Sequence, residues 1–150
     1  MSNWITPIFD RTQEDVDYAI FKLDEWKANG TTDIYELKGC LNVSDINRIE
    51  KNIQYLSDKL SEQCYFPHAI TKTWDMMGLP NMNDINRIIG NIRNIIMAFF
   101  QKSTSPDLPN NMLNYEQVNA IEENLYLIKE ILDNMVSSYR ECGTFNCGED

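Results

Sequence analysis

Apolar residues recur by threes and fours in three stretches of the chain, with polar residues between them. The first stretch is Ile46, Ile49, Ile53, Leu56, Leu60. The second is Ile85, Ile88, Ile92, Ile95 or Ile96, Phe99. The third is Val118, Ile121, Leu125, Ile128, Leu132, Met135, Tyr139. Such a stripe is one face of an amphipathic helix, which must be buried against other helices. A fainter stripe, Val16, Ala19, Leu23 and Trp26, precedes them.

Each stripe opens on a capping signal. Asn42, Asn81 and Asn114 stand at the cap, with Asp45, Asp84 and Gln117 three residues on; Thr12 and Asp15 repeat the arrangement at the start of the chain. In a capping box the cap side chain accepts a first-turn N–H and the acid or amide reaches back, where it also meets the positive end of the helix dipole. Leu41 with Ile46, and Leu113 with Val118, are placed to close hydrophobic staples. The pentapeptide Asp-Ile-Asn-Arg-Ile is identical at residues 45–49 and 84–88. The chain therefore carries an internal repeat, the mark of a duplicated supersecondary unit.

These signals predict helices from about Gln13 to Ala28, Val43 to Glu62, Met82 to Gln101 and Tyr115 to Tyr139. Asn29-Gly30 reads as a C-cap. Residues 31–40 are ambiguous, with Thr32–Leu37 able to form a short helix before Gly39. Pro67 and Gly78-Leu79-Pro80 punctuate an aromatic-rich connector over residues 64–80, where Thr71–Trp74 suits an extended run; residues 103–111 are loop. Gly90 inside the third helix costs about 1 kcal/mol of propensity, which a close backbone crossing would explain. The expected fold is all-α, a four-helix bundle in a single domain. Residues 1–11 form an extended arm, 12–139 the bundle and 140–150 a short extended tail. The arm, with Trp4, Ile5, Ile8 and Phe9, should pack on the bundle or on another subunit. The tail, with its two glycines, suits a strand, a hairpin or a disordered end.

The 150 residues suffice for a core, and 43% hydrophobic content is ordinary. A net charge of −10 argues against nucleic acid or an anionic membrane as partner. The acids of the first helix (Glu14, Asp15, Asp17, Asp24, Glu25) and the fourth (Glu116, Glu122, Glu123, Glu130, Asp133) read as solvated faces. Met1–Pro7 has no basic start or apolar run, so no signal peptide is expected, and polar residues interrupt the most apolar stretch, Ile85–Phe100, so no membrane insertion is expected. Cys40, Cys64, Cys142 and Cys147 are then expected to be reduced, and the Cys142/Cys147 spacing with His68 alone does not make a zinc site.

Beside the stripes stand Asn47 and Asn52, Asn86 and Asn91, Asn119 and Asn124. Burial strands loop backbone groups at the edge of a core, and these amides are expected to satisfy them rather than to bind a ligand. Arg48 and Arg87 read as surface ion-pair partners. No Glu-x-x-His motif, phosphate loop or nucleophile elbow occurs, so no enzyme, cofactor or metal is expected. Tyr65, Phe66 and Trp74 are the candidates for a small-ligand or carbohydrate groove. The position of Trp74 discriminates: packed in the bundle it is structural, splayed around a groove it is for binding.

A set of phrases carries a resemblance. They are Trp4-Ile5-Thr6-Pro7, Asp10-Arg11-Thr12-Gln13, Asp15-Val16-Asp17, Lys38-Gly39-Cys40-Leu41-Asn42, residues 45–56, Thr71-Lys72-Thr73-Trp74 and the Tyr139–Gly148 tail. Together they resemble minor structural proteins of tailed phages and prophages of Gram-positive bacteria, over nearly the whole chain. The resemblance implies a tail, baseplate or fibre-associated virion component, assembled in the bacterial cytoplasm in several copies, with other phage structural proteins as partners and no catalytic motif. On that basis Trp4, Ile5, Phe9 and Phe145 are the candidate interface of a homo-oligomer. The alternative is a helical module for host-surface glycan or a small ligand, built on Tyr65, Phe66 and Trp74.

Overall fold

A computed structural model describes residues 3–30 and 36–144, the last five as backbone only. The fold is all-α, with four helices: α1 (Gln13–Asn29), α2 (Val43–Glu62), α3 (Met82–Ala98) and α4 (Tyr115–Thr144). Boundaries follow the predicted signals closely at the capped ends. The Thr12 hydroxyl accepts from the Asp15 N–H at 3.3 Å, and Asn81 Oδ1 from the Asp84 N–H at 3.0 Å. The Asp15, Asp45 and Asp84 carboxylates accept in return from the backbone N–H groups of Thr12, Asn42 and Asn81. Asn114 caps α4 through the Gln117 N–H at 2.8 Å. Gly30, left-handed at φ 65°, donates to the Trp26 carbonyl and stops α1.

Three expectations are corrected. α4 continues through Thr144, beyond the expected end at Tyr139; residues 145–150, with Phe145, lie outside the described residues, as do 31–35 of the possible short helix. Leu113 stands 76% exposed and closes no staple over Val118. Gly90 meets nothing within 4 Å, so no chain crosses there. The close crossing lies at Gly39 instead, where a Cβ would stand 2.1 Å from the Asp15 carbonyl oxygen.

The core belongs to α2, α3 and α4, which pack on one another in all three pairings. Aligned on their caps, the three repeats contribute five sets of equivalent apolar side chains. They run from Ile46, Ile85 and Val118 up to Leu60, Phe99 and Leu132, and all are buried. α1 stays peripheral. Of its stripe only Ala19 is buried, and Trp26 is exposed with Tyr18, Ile20 and Phe21.

The second layer is a set of three extended straps. The arm lies along α2 and α4, residues 67–74 along α2 and α3, and residues 101–110 along α3 and α4. Successive contacts descend each helix as they ascend the strap: Asn94, Asn91 and Arg87 meet His68 and Ile70, and Asn47 meets Trp74. The straps therefore run antiparallel to three helices that are parallel to one another.

No strand forms among the described residues, because the straps pair with asparagine side chains rather than with each other. A carboxamide presents one acceptor and one donor group, as a peptide does. Asn52 accepts from the Ile5 N–H at 2.9 Å and donates to the Ile5 carbonyl at 2.8 Å. Asn91 holds Ile70, Asn47 holds Trp74, and Asn119 holds Arg11 in the same two-bond way. Asn124 donates to the Pro106 carbonyl at 3.0 Å; proline has no N–H to return, and Gln101 Nε2 fills the vacant acceptor at 3.0 Å. The structural reading of these asparagines thus holds at five positions, and Asn86 is exposed.

Candidate functional site

The most concentrated chemistry is a closed ring of charge beneath the arm. Arg11, from the arm, reaches Asp45 of α2 at 2.9 Å and Glu122 of α4 at 2.8 Å. Arg48 of α2 closes the ring, with Nη2 2.6 Å from Asp45 and Nε 2.5 Å from Glu122. All four residues are buried. The arm is bound into it further: Arg11 Nη1 donates to the Ile8 carbonyl at 2.5 Å, and the Ile8 N–H to Glu122 at 3.3 Å. Two guanidiniums and two carboxylates balance in charge, the condition for burying ions without a large penalty. Burial pulls the Arg48 guanidinium down, but the bonds to Glu122 and Asp45 outweigh it and hold it above its usual value.

A second ion pair, a buried glutamate with a half-buried arginine, sits one groove away. Glu50, 1% exposed, accepts from Arg87 Nη2 at 2.5 Å and from Trp74 Nε1 at 3.1 Å. The two pairs are related by the repeat. Arg48 and Arg87 occupy one repeat position, and Glu50 and Glu122 another. Each glutamate receives the arginine of the neighbouring helix. At the third interface those positions hold Ile89 and Ala120, an apolar pair in place of the charges.

Sequence reasoning missed this ring and misjudged its members. Glu122 was expected on a solvated face and is fully buried; Arg48 was expected at the surface and is 7% exposed. Glu50 and Asp45 are buried as well, and Arg11 carried no periodic signal because it lies outside the helices. The legible clue was the Arg/Glu alternation between repeats.

Trp74 is packed in the core, with Lys72 Nζ 4.3 Å from its ring centroid. Tyr65 is half-buried and meets Phe99 edge-on at 5.0 Å, while Phe66 is exposed, so the three are not gathered around one groove. Trp4 packs on Tyr55 at 5.6 Å and Phe9 on Tyr126 at 5.4 Å, with Ile5 partly exposed between them. The arm thus packs on its own bundle.

Two cavities flank the arm. One of about 260 Å³ lies at the cap end, among Arg11, Val16, Gly39, Cys40, Met112 and Val118. Burial, and then Asp45, push the Cys40 thiol up, so it stays protonated and is a poor nucleophile there. The other, about 450 Å³, opens between the far ends of α2 and α4. Among the described residues no His, Cys, Asp or Glu cluster is placed to hold a metal ion, and no helix is long and apolar enough to cross a membrane. His68 is exposed and offers only its carbonyl, to Asn94.

No protein-family model, curated protein or solved structure matches the chain.

Proposed function

We propose that this chain is a non-enzymatic structural protein of a tailed-phage or prophage virion, a tail or baseplate component acting through protein–protein contacts. The sequence resemblance supplies the virion setting. The observation that supports a structural role is how the buried ionisable side chains are used. Arg11, Asp45, Arg48, Glu50 and Glu122, with the half-buried Arg87, hold one another and the straps, and none is left facing a cavity as a free acid or base. The fold is stiffened as a spacer would be. Large apolar side chains at its surface, among them Phe21, Met76, Met77, Leu79 and Phe100, offer contact area to other subunits.

The test is the particle. Virions induced from the host lysogen and purified on a density gradient should contain this chain at a fixed copy ratio to the major tail protein. A deletion mutant should yield particles with incomplete tails or baseplates. Particles lacking the chain that are complete and infectious would refute the proposal. Sedimentation of the purified protein gives an independent reading, with assembly beyond the monomer expected at high concentration.

A further inference from the structure

The straps at residues 67–74 and 101–110 each pass from one core helix to the next, so neither can leave its groove while α2, α3 and α4 stay folded. The arm is placed differently. What joins it to α2 is α1, and α1 makes no broad contact with α2, α3 or α4. Among the described residues, the arm and α1 are held to the rest chiefly at the α2/α4 groove and at the turn before α2. In that turn Lys38 Nζ lies 3.2 Å from Asp10, and Gly39 lies against the backbone of Asp15.

The α2/α4 groove reads one sequence. Asn52 takes the Ile5 peptide with two bonds and Asn119 the Arg11 peptide with two more. Tyr55 and Tyr126 receive the rings of Trp4 and Phe9. Asp45, Arg48 and Glu122 form three corners of a ring that Arg11 completes; without it two carboxylates share one buried arginine. The occupant this groove selects is therefore residues 3–11 of this chain, from the same molecule or from another. Every one of these contacts is the same in either case, so concentration decides between them. The tether through α1 gives the arm an effective concentration on the order of millimolar in its own groove. Copies packed side by side in an assembly bring a second groove equally near.

We propose that in the assembled state the arm and α1 of one copy exchange into a neighbouring copy of this chain. There Arg11 closes the neighbour's ring and Asp10 meets the neighbour's Lys38. α1 becomes the bridge between copies, which gives a purpose to a detour that the other two straps lack. In solution, reciprocal exchange closes a dimer. The inference rests on the reading of the chain as an assembly component and names the contact through which copies join.

The test uses the unaltered chain. Equal amounts of nitrogen-15-labelled and unlabelled protein are unfolded together in urea, refolded at about 1 mM, where exchange rivals the tether, and separated by size. A carbodiimide then joins neighbouring amines and carboxylates without a spacer. It should link Lys38 to Asp10, and Lys102 to Glu130 at 2.9 Å, a pair that ties down a strap unable to exchange. In the dimer fraction, mass spectrometry should find half of the Lys38–Asp10 links between a labelled and an unlabelled peptide, the statistical share. Every Lys102–Glu130 link should join like peptides. Three outcomes would overturn the exchange. They are a dimer whose Lys38–Asp10 links join only like peptides, unlike peptides in both links, which marks nonspecific contact, and a chain that stays monomeric at this concentration. The particle assay does not depend on exchange, so failure here is distinguishable from failure of the virion role.

Discussion

Gly39 and Gly90 stand in opposite situations, and a single methyl group separates them. At Gly90 a Cβ meets nothing within 4 Å, so Gly90→Ala should stabilise the protein by about 1 kcal/mol, read by urea denaturation. At Gly39 the same Cβ would run into the backbone of Asp15 and Val16; Gly39→Ala should cost about 1–3 kcal/mol as α1 is pushed off. Cys64 offers a third case. It holds a left-handed position usually given to glycine, so Cys64→Gly should gain about 1 kcal/mol or less once the extra chain entropy of glycine is charged against it. The capping carboxylates set an acid limit. The Asp15 and Asp84 carboxyls are held below the usual 3.8, first by the N–H groups of Thr12 and Asn81. A depressed folded value means that their stabilisation is full above the unfolded value and is lost as pH falls through the folded one. Carboxyl NMR should find both midpoints below 3.8, and a midpoint at or above it would contradict the capping geometry.

The elements were the most legible part of the chain. Caps and stripes placed α2, α3 and α4 because local bonding and one buried face fix a helix, and both are written in nearby residues. The asparagines could be assigned to backbone satisfaction for the same reason. What stayed hidden depends on partners distant in sequence. Glu122 looks like any surface glutamate until Arg11, more than a hundred residues away, is set beside it. Gly90 misled because a glycine in a helix signals a close approach without saying whether one exists. The repeat also supplies an energetic test. Glu122→Ile leaves Arg11 and Arg48 facing one carboxylate and should cost about 3–5 kcal/mol. Combined with Arg48→Ala it recreates the Ile89/Ala120 pair of the third interface. The double variant should cost less than the sum of its parts by at least about 1 kcal/mol in a double-mutant cycle.

At the scale of the molecule, the arm is a structural member rather than a loose end. It fills the α2/α4 groove and supplies one corner of the buried ring. A chain beginning at Thr12 should lose cooperative unfolding, and a peptide of residues 3–11 added in trans should restore it, as near-UV dichroism would report. Between the arm and α2, where the other straps need only a short turn to reach their helix, the chain makes the detour of α1. Candidate sites were less legible than the fold at this scale, because the buried ring is assembled from the arm, α2 and α4, which only the folded chain brings together.

The parallel course of α2, α3 and α4 has an electrical consequence. In an up-and-down bundle the peptide dipoles of neighbouring helices cancel; here they add. The first-turn N–H groups that follow Asn42, Asn81 and Asn114 gather at one pole, where side chains cap part of them, and the last carbonyls at the other. The helix dipoles therefore share a positive end at the caps, where the carboxylates of Asp45, Asp84 and Glu116 sit against it, and a negative end at the opposite face.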